Sequence, residues 1–241
     1  MLVLGIETSG FKGSVALVND EVCLGERWLN QLGRRHAQSL VLEIGELLRM
    51  HALTPRDVGS VAVSRGPGSF TGLRVGMVCA KTFAYATGCR FIAVDTFVAI
   101  AENAPNEVTR LFVIEDAQRD DLFVGEYARD ESHRWKQVAP IRIVSTVEFL
   151  RDRSNSDIVT GPGVMKLDSA VVSVNWLLDA AIRQPRASVI AKIGRIKTIS
   201  GRDELPANDA DFWRASPFYL RLSAAEEKRA AFSVKDSTVI P

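Results

Sequence analysis

The sequence predicts an α/β protein built as one large domain or as two lobes. Its 241 residues are 46% hydrophobic, which is enough for a substantial core. Short apolar runs typical of strands alternate with segments whose apolar residues recur at helical spacing. Residues 64–76 form a glycine-rich loop that joins one such strand directly to a helix.

The first part of the chain should contain five strands and three helices. The predicted strands are residues 2–7, 14–18, 22–28, 60–64 and 91–94, and the predicted helices are 36–51, 72–87 and 95–103. Apolar residues from Leu40 to Leu48 recur at helical spacing and mark the buried face of the first long helix. A threonine, a proline and an acid at residues 54–57 have the order of a helix start, and Gly88 is placed to cap the second long helix.

The second part should add strands at residues 110–115, 122–127 and 140–144, and a short strand at 158–160 that runs into a second Gly-Pro-Gly turn. A helix is predicted at 186–199, and residues 217–221 are a last strand or an extended segment. We therefore expect an N-terminal lobe at 1–104, a C-terminal lobe at 105–224 and a charged, frayed tail at 225–241.

The glycine-rich loop matches neither of two common phosphate-binding motifs. Gly66 and Gly72 have five residues between them and Leu73-Arg74 follows, whereas a P-loop has four, then Lys and Ser or Thr. The glycine spacing also differs from that of the dinucleotide fingerprint. Two interpretations remain open: an anion site at a helix N-terminus, or a turn that only packs a helix tightly on a sheet.

Charge and hydropathy exclude several classes of function. The formal net charge is +1, which gives no strong electrostatic case for direct contact with nucleic acid. The sequence begins with a strand pattern and contains no apolar run of membrane-spanning length. We expect a cytoplasmic protein that does not contact membranes.

Small residues recur along the predicted second long helix. Gly72, Gly76, Ala80 and Ala84 are four residues apart and therefore form one ridge of the helix. A ridge with almost no side chains lets another element approach closely. It either packs against the chain's own sheet or first helix, or it meets a helix of a partner.

Three segments together resemble the TsaB family. Residues 4–9 read LGIETS, residues 66–76 read GPGSFTGLRVG, and residues 217–221 read PFYLR. The second of these is highly specific for the family. The resemblance in order and spacing covers most of the chain and is weakest between residues 129 and 205.

The resemblance implies an actin/Hsp70-like ATPase fold, in which two related lobes each contain a mixed sheet flanked by helices. It also implies a non-catalytic subunit that works with TsaD and the ATPase TsaE to attach threonylcarbamoyl to the adenosine beside the anticodon of tRNA. We expect helix–helix docking on a TsaD-like subunit, a homodimer in isolation, and only indirect contact with tRNA. The expected interface comprises His36, Leu40, Gly72, Gly76, Ala80 and Ala84.

The resemblance also indicates where a vestigial phosphate or nucleotide site would lie. Its candidate residues are Glu7, Thr8, Ser9, Gly66, Gly68 and Asp116. No cofactor is expected to be required, and weak binding of ATP or ADP with Mg²⁺ is left open. TsaD-like relatives bind a metal through a helical histidine pair, but His36, His51 and His133 have no such spacing, so we expect no metal site and no catalytic residue.

The chain departs from the family at the start of the second lobe. The family usually reads Asp-Ala-Arg-x-Gly-Glu-Val-Tyr there, and residues 116–123 read DAQRDDLF. The change affects the cleft between the lobes. The alternative to an accessory subunit is an independent actin-fold ATPase or small-molecule kinase, which would need a phosphate loop in each lobe and an acidic base in the cleft.

Overall fold

The computed structural model describes residues 1–29, 36–154, 156–167, 179–201, 204–205 and 210–221. Within these ranges, no helix has both the length and the hydropathy needed to cross a membrane. The predicted tail at 225–241 lies outside the described residues.

The first lobe is built on a six-stranded mixed sheet. Its strands are β1 (Leu2–Glu7), β2 (Ser14–Asn19), β3 (Val22–Trp28), β4 (Ser60–Ser64), β5 (Arg90–Val94) and β10 (Glu204–Leu205). They lie in the order β10-β5-β4-β1-β2-β3. The hairpins β1-β2 and β2-β3 are antiparallel, whereas β1, β4 and β5 run parallel because helices connect them.

Helices cover both faces of this sheet. The helices are α1 (His36–Met50) and α2 (Phe70–Thr87) on one face, and α3 (Thr96–Ala101) and α5 (Ala187–Ser200) on the other. Strand residues alternate between the two faces, so Leu4 and Ile6 pack under α1 and α2 while Val3 packs under α5. β1 and β4 are buried on both sides, as expected for central strands of a layered α/β sheet.

The second lobe repeats the arrangement of strands on a smaller scale. Its strands are β6 (Arg110–Gln118), β7 (Asp121–Arg129), β8 (Trp135–Ser145) and β9 (Val159–Thr160), in the order β8-β7-β6-β9. Helix α4 (Thr146–Arg151) and a 3-10 helix at Pro162–Lys166 cover one face, and α3 lies against the other. Two mixed sheets flanked by helices are the architecture that the sequence predicts, so the expected fold class is confirmed.

The predicted boundary of the C-terminal lobe is wrong beyond about residue 186. Helix α5 packs on β1, β2 and β4 of the first lobe, and β10 pairs with β5. Small residues make this contact possible. A Cβ added to Gly5 would lie 2.1 Å from the carbonyl oxygen of Ala187, and one added to Gly194 would lie 2.4 Å from the Cβ of Ala62. The chain therefore returns to the first lobe after completing the second.

Two local predictions also differ from the structure. The capping sequence at 54–57 forms only one turn of 3-10 helix, Pro55–Asp57, because none of its residues is buried and β4 begins at Ser60. Residues 217–221 form no strand, and the chain bends at residues 220 and 221. The predicted left-handed Gly88 cap of α2 is present, and the side chain of Ser145 caps α4.

Candidate functional site

The glycine-rich loop leaves β4, contacts the C-terminal segment at Phe218 and enters α2. Gly66 has a φ of 112°, and a Cβ there would lie 2.9 Å from the carbonyl oxygen of Phe218. Ser69 caps α2, since its Oγ accepts a hydrogen bond from the Gly72 amide at 3.2 Å. The Ser69 amide donates to the carbonyl oxygen of Ser9 at 2.7 Å. The loop is therefore locked to the turn that follows β1.

The Glu7 carboxylate satisfies the amides of that turn. Its Oε1 accepts hydrogen bonds from the Ser9 amide at 2.5 Å, the Ser9 hydroxyl at 2.6 Å and the Gly10 amide at 3.1 Å. Glu7 is fully buried at the end of β1. These are the donors that an external phosphate would need at this position, and a carboxylate of the chain itself occupies them.

Thr8 fixes α2 against β1. Its side chain is fully buried, and its hydroxyl donates to the carbonyl oxygen of Gly72 at 2.8 Å. The helix comes so close that a Cβ at Gly72 would lie 1.9 Å from the Thr8 carbonyl oxygen, and one at Gly76 would lie 2.2 Å from the Thr8 hydroxyl. Glycine is required at both positions by close approach rather than by backbone conformation.

Acidic groups of both lobes interact at the cleft. Burial raises the pKa of Glu7, although its hydrogen bonds from Ser9 and Gly10 oppose the shift. Its Oε2 has no hydrogen-bond partner among the residues that the structure describes. In the second lobe, burial raises the pKa of Glu115 to about 7, and the negative charges of Asp116 and Glu7 add to this effect. Asp116 itself pairs with Lys166 at 2.7 Å.

Five of the predicted phosphate residues, at positions 7–9, 66 and 68, lie in one region, and their polar groups are largely bonded within the chain. Glu7, Thr8 and Ser9 bond to one another or to α2, and a Cβ at Gly68 would lie 2.7 Å from the Ser9 carbonyl oxygen. A phosphate would have to displace the Glu7 carboxylate from its amides. Among the described residues, no group of three or more His, Cys, Asp or Glu side chains is arranged to hold a metal ion.

The residues predicted to contact a partner face the chain's own core, so that assignment is wrong for five of the six. Ala80 and Ala84 are fully buried and Leu40 is 1% exposed, while Gly72 and Gly76 contact Thr8. The alternative interpretation of the small-residue ridge, packing on the chain's own sheet, is the one observed. The side chain of His36 lies outside the described residues, although α1 begins there.

The opposite faces of the same helices carry exposed apolar side chains that sequence reasoning missed. Val41 and Leu42 on α1 and Val78 and Tyr85 on α2 are between 59% and 66% exposed. Val78 and Tyr85 are seven residues apart on α2 and offset from the glycine ridge, and this spacing is visible in the sequence. Glu115 was also missed, although it directly follows the apolar run 111–114 and lies in the second half of β6.

Comparisons with known proteins give a consistent result. The family model described as "TsaD: tRNA N6-adenosine threonylcarbamoyltransferase" matches residues 30–154. The chain is 26% identical over 235 residues to the tRNA threonylcarbamoyladenosine biosynthesis protein TsaB of Bacillus subtilis, covering 95% of this chain and 97% of that protein. It is 33% identical over 137 residues to TsaB of Escherichia coli, covering 56% of this chain and 58% of that protein.

A solved structure from Pseudomonas aeruginosa, described as an uncharacterized protein with similarity to peptidase YeaZ, has the same fold. The superposition has a TM-score of 0.73 at 24% sequence identity and covers 91% of this chain and 99% of the other. The agreement therefore extends over both lobes.

Proposed function

The chain belongs to the TsaB family, and from this premise we propose that it takes part in the biosynthesis of threonylcarbamoyladenosine in tRNA as a non-catalytic subunit. In this proposal it docks on a TsaD-type transferase and is required for the activity of that subunit, together with a TsaE-type ATPase. The chain contacts tRNA only through the assembly, and we expect it to work in the cytoplasm. The 95% coverage in the alignment with the Bacillus subtilis protein supports the assignment to this pathway.

One observation supports a role without chemistry of its own. The amides of Ser9 and Gly10 are bonded to the Glu7 carboxylate instead of being open to a phosphate. An actin-fold kinase or ATPase needs such donors free to bind the transferred group. We therefore propose that the chain requires no nucleotide.

Calorimetry of the isolated protein with Mg·ATP addresses this point. We expect no measurable heat of binding, because a phosphate would have to break three hydrogen bonds of a buried carboxylate. Tight binding by the isolated chain would support the alternative of an independent ATPase or small-molecule kinase.

The outer faces of α1 and α2 are the proposed docking surface. Val41 and Leu42 on α1 and Val78 and Tyr85 on α2 form a set of exposed apolar side chains on two adjacent helices. Such a set is typical of a helical interface, in which small numbers of apolar anchors carry most of the binding energy. The same surface would serve a homodimer in isolation and exchange it for the heterodimer.

A matched pair of substitutions tests the docking surface. Val78→Asp places a charge in the proposed interface, and Ile196→Asp places one at an exposed apolar position on α5, on the opposite face of the sheet; the two side chains are 63% and 53% exposed. The affinity for the TsaD-type subunit is measured by titration. It should weaken at least tenfold in the first variant and stay unchanged in the second. Equal affinities for the two variants would refute this surface.

The function itself is tested by reconstituted modification of tRNA. The transferase subunit and the ATPase should modify tRNA only when this chain is present, and the chain alone should produce none. Modification by the isolated chain would contradict a non-catalytic role.

A further inference from the structure

The C-terminal segment 212–221 runs from the core of the first lobe to the second lobe; we refer to it as the strap. It begins at Phe212, which is fully buried and packs edge-on against Phe91 at 5.5 Å between ring centroids. The ammonium group of Lys81 on α2 donates hydrogen bonds to the carbonyl oxygens of Trp213 at 2.9 Å and Ala215 at 2.6 Å. This end of the strap is therefore firmly attached to α2 and β5.

The middle of the strap crosses the glycine-rich loop. The Phe218 amide donates to the carbonyl oxygen of Arg65 at 2.7 Å. The ring of Tyr219 packs on Phe70 with centroids 4.8 Å apart, and its hydroxyl accepts a hydrogen bond from Arg74 at 3.0 Å. The first turn of α2 thus holds the strap at the point where it leaves the first lobe.

The end of the strap is bound by the second lobe. Leu220 packs against the core cluster that contains Leu111, Val113 and Tyr127. The guanidinium group of Arg221 donates to the carbonyl oxygens of Ala117 and Gln118, the latter at 3.2 Å, and to the carboxylate of Asp121 at 2.6 Å.

The β6-β7 turn, to which Arg221 donates its hydrogen bonds, has an unfavourable backbone conformation. Gln118, Arg119 and Asp120 join β6 to β7 with φ values of 66°, 54° and 63°. The left-handed region disfavours side chains with a Cβ, and three such residues in succession persist only where the surroundings hold them. Further contacts come from Asp116, whose carboxylate accepts the Gln118 amide at 2.6 Å, and from Thr146, whose amide and hydroxyl donate to the carbonyl oxygen of Asp120 at 2.9 Å and 2.8 Å.

We propose that the strap is a latch between the lobes: Arg221 holds the β6-β7 turn in its left-handed conformation and thereby couples the first turn of α2 to the acidic residues of the second-lobe cleft. When Arg221 is bound, the turn fixes the end of β6, which carries Glu115 and Asp116. When Arg221 is released, the turn relaxes and these two side chains lose their fixed position. The inference concerns the chain itself and does not depend on the proposed function.

Hydrogen exchange of the full-length protein, followed by mass spectrometry, tests the latch. In Arg221→Ala, peptides that cover residues 116–122 and the Thr146 amide should exchange about tenfold faster or more, the factor expected when charge-assisted hydrogen bonds are lost. Exchange in α1 and β1 should not change. Arg151→Ala is the matched control, because Arg151 lies in the same lobe and pairs with the exposed Asp152; it should leave the turn unaffected.

A second substitution separates a latch from general stabilisation. Glycine adopts a φ near 63° without steric cost, so Asp120→Gly should restore most of the lost protection in the Arg221→Ala background. Arg221→Lys, which keeps the charge but lacks the planar fork of donors of the guanidinium group, should show the same local pattern with a smaller amplitude. Unchanged exchange at the turn, faster exchange spread evenly over both lobes, or no recovery with Asp120→Gly would each overturn the proposal.

Discussion

Replacing Gly72 with alanine should destabilise the protein, because α2 approaches β1 more closely than a Cβ permits. The added carbon would lie 1.9 Å from the carbonyl oxygen of Thr8, whereas an ordinary contact needs at least 3.4 Å. Either the helix or the strand must move by about 1.5 Å in a close-packed core. The hydrogen bond from the Thr8 hydroxyl to the Gly72 carbonyl oxygen, now 2.8 Å long, would be stretched or broken.

The expected change in the free energy of unfolding follows from three contributions. Overpacking of a core costs about 1–3 kcal/mol. Loss of one buried hydrogen bond costs about 1 kcal/mol. Alanine recovers about 1 kcal/mol through its higher helix propensity. The net loss of stability should therefore be about 1–3 kcal/mol.

The same substitution in α1 supplies a matched control. Nothing lies within 4 Å of a Cβ placed on Gly45, so Gly45→Ala should stabilise the protein by about 0.5–1 kcal/mol. Urea unfolding monitored by tryptophan fluorescence measures both effects. With a slope of about 2 kcal/mol per molar urea, a loss of about 2 kcal/mol lowers the midpoint by about 1 M. If Gly72→Ala is as stable as the parent, or if the two variants shift in the same direction, the close approach of α2 to β1 is refuted.

Two further predictions concern partly buried carboxylates. Glu26 accepts hydrogen bonds from the Ser188 amide at 3.1 Å and hydroxyl at 2.9 Å at the start of α5, so Glu26→Ala should lower the free energy of unfolding by about 1–3 kcal/mol. Glu21→Ala is the control: it removes a 78% exposed partner of Arg195 and should change the free energy of unfolding by less than about 0.5 kcal/mol. If urea unfolding gives the same loss of stability for both variants, the capping role of Glu26 is contradicted. The pKa of Glu115 lies at about 7 in the folded protein against an ordinary value of 4.5, so its contribution to stability is complete below pH 4.5 and is lost as the pH rises through 7. Glu115→Gln should remove that loss and leave the variant about 1–3 kcal/mol more stable than the parent at pH 8 in denaturant titrations; the same dependence on pH in both proteins would argue against burial of this carboxyl group.

Local patterns in the sequence determined the elements of the fold and the family. The bounds of β1, β3 and β4 agree with prediction, because strands and their turns are specified by residues next to each other in the chain. The Gly88 cap depends equally on a local requirement, a φ of 75° that glycine satisfies without strain. The glycine loop likewise identified the family from a short run of residues.

Only the tertiary structure decided which surfaces those elements present to one another. The small-residue ridge of α2 has the same pattern whether it packs on a partner or on β1, and the distance between Gly76 and Thr8 selects the second. Helix α5 has an apolar face that would fit either sheet, and its small residues at Ala191 and Gly194 match Gly5 and Ala62 of the first. Packing is a contact between residues far apart in the chain, so spacing within one segment predicts that a face is buried but leaves open what buries it.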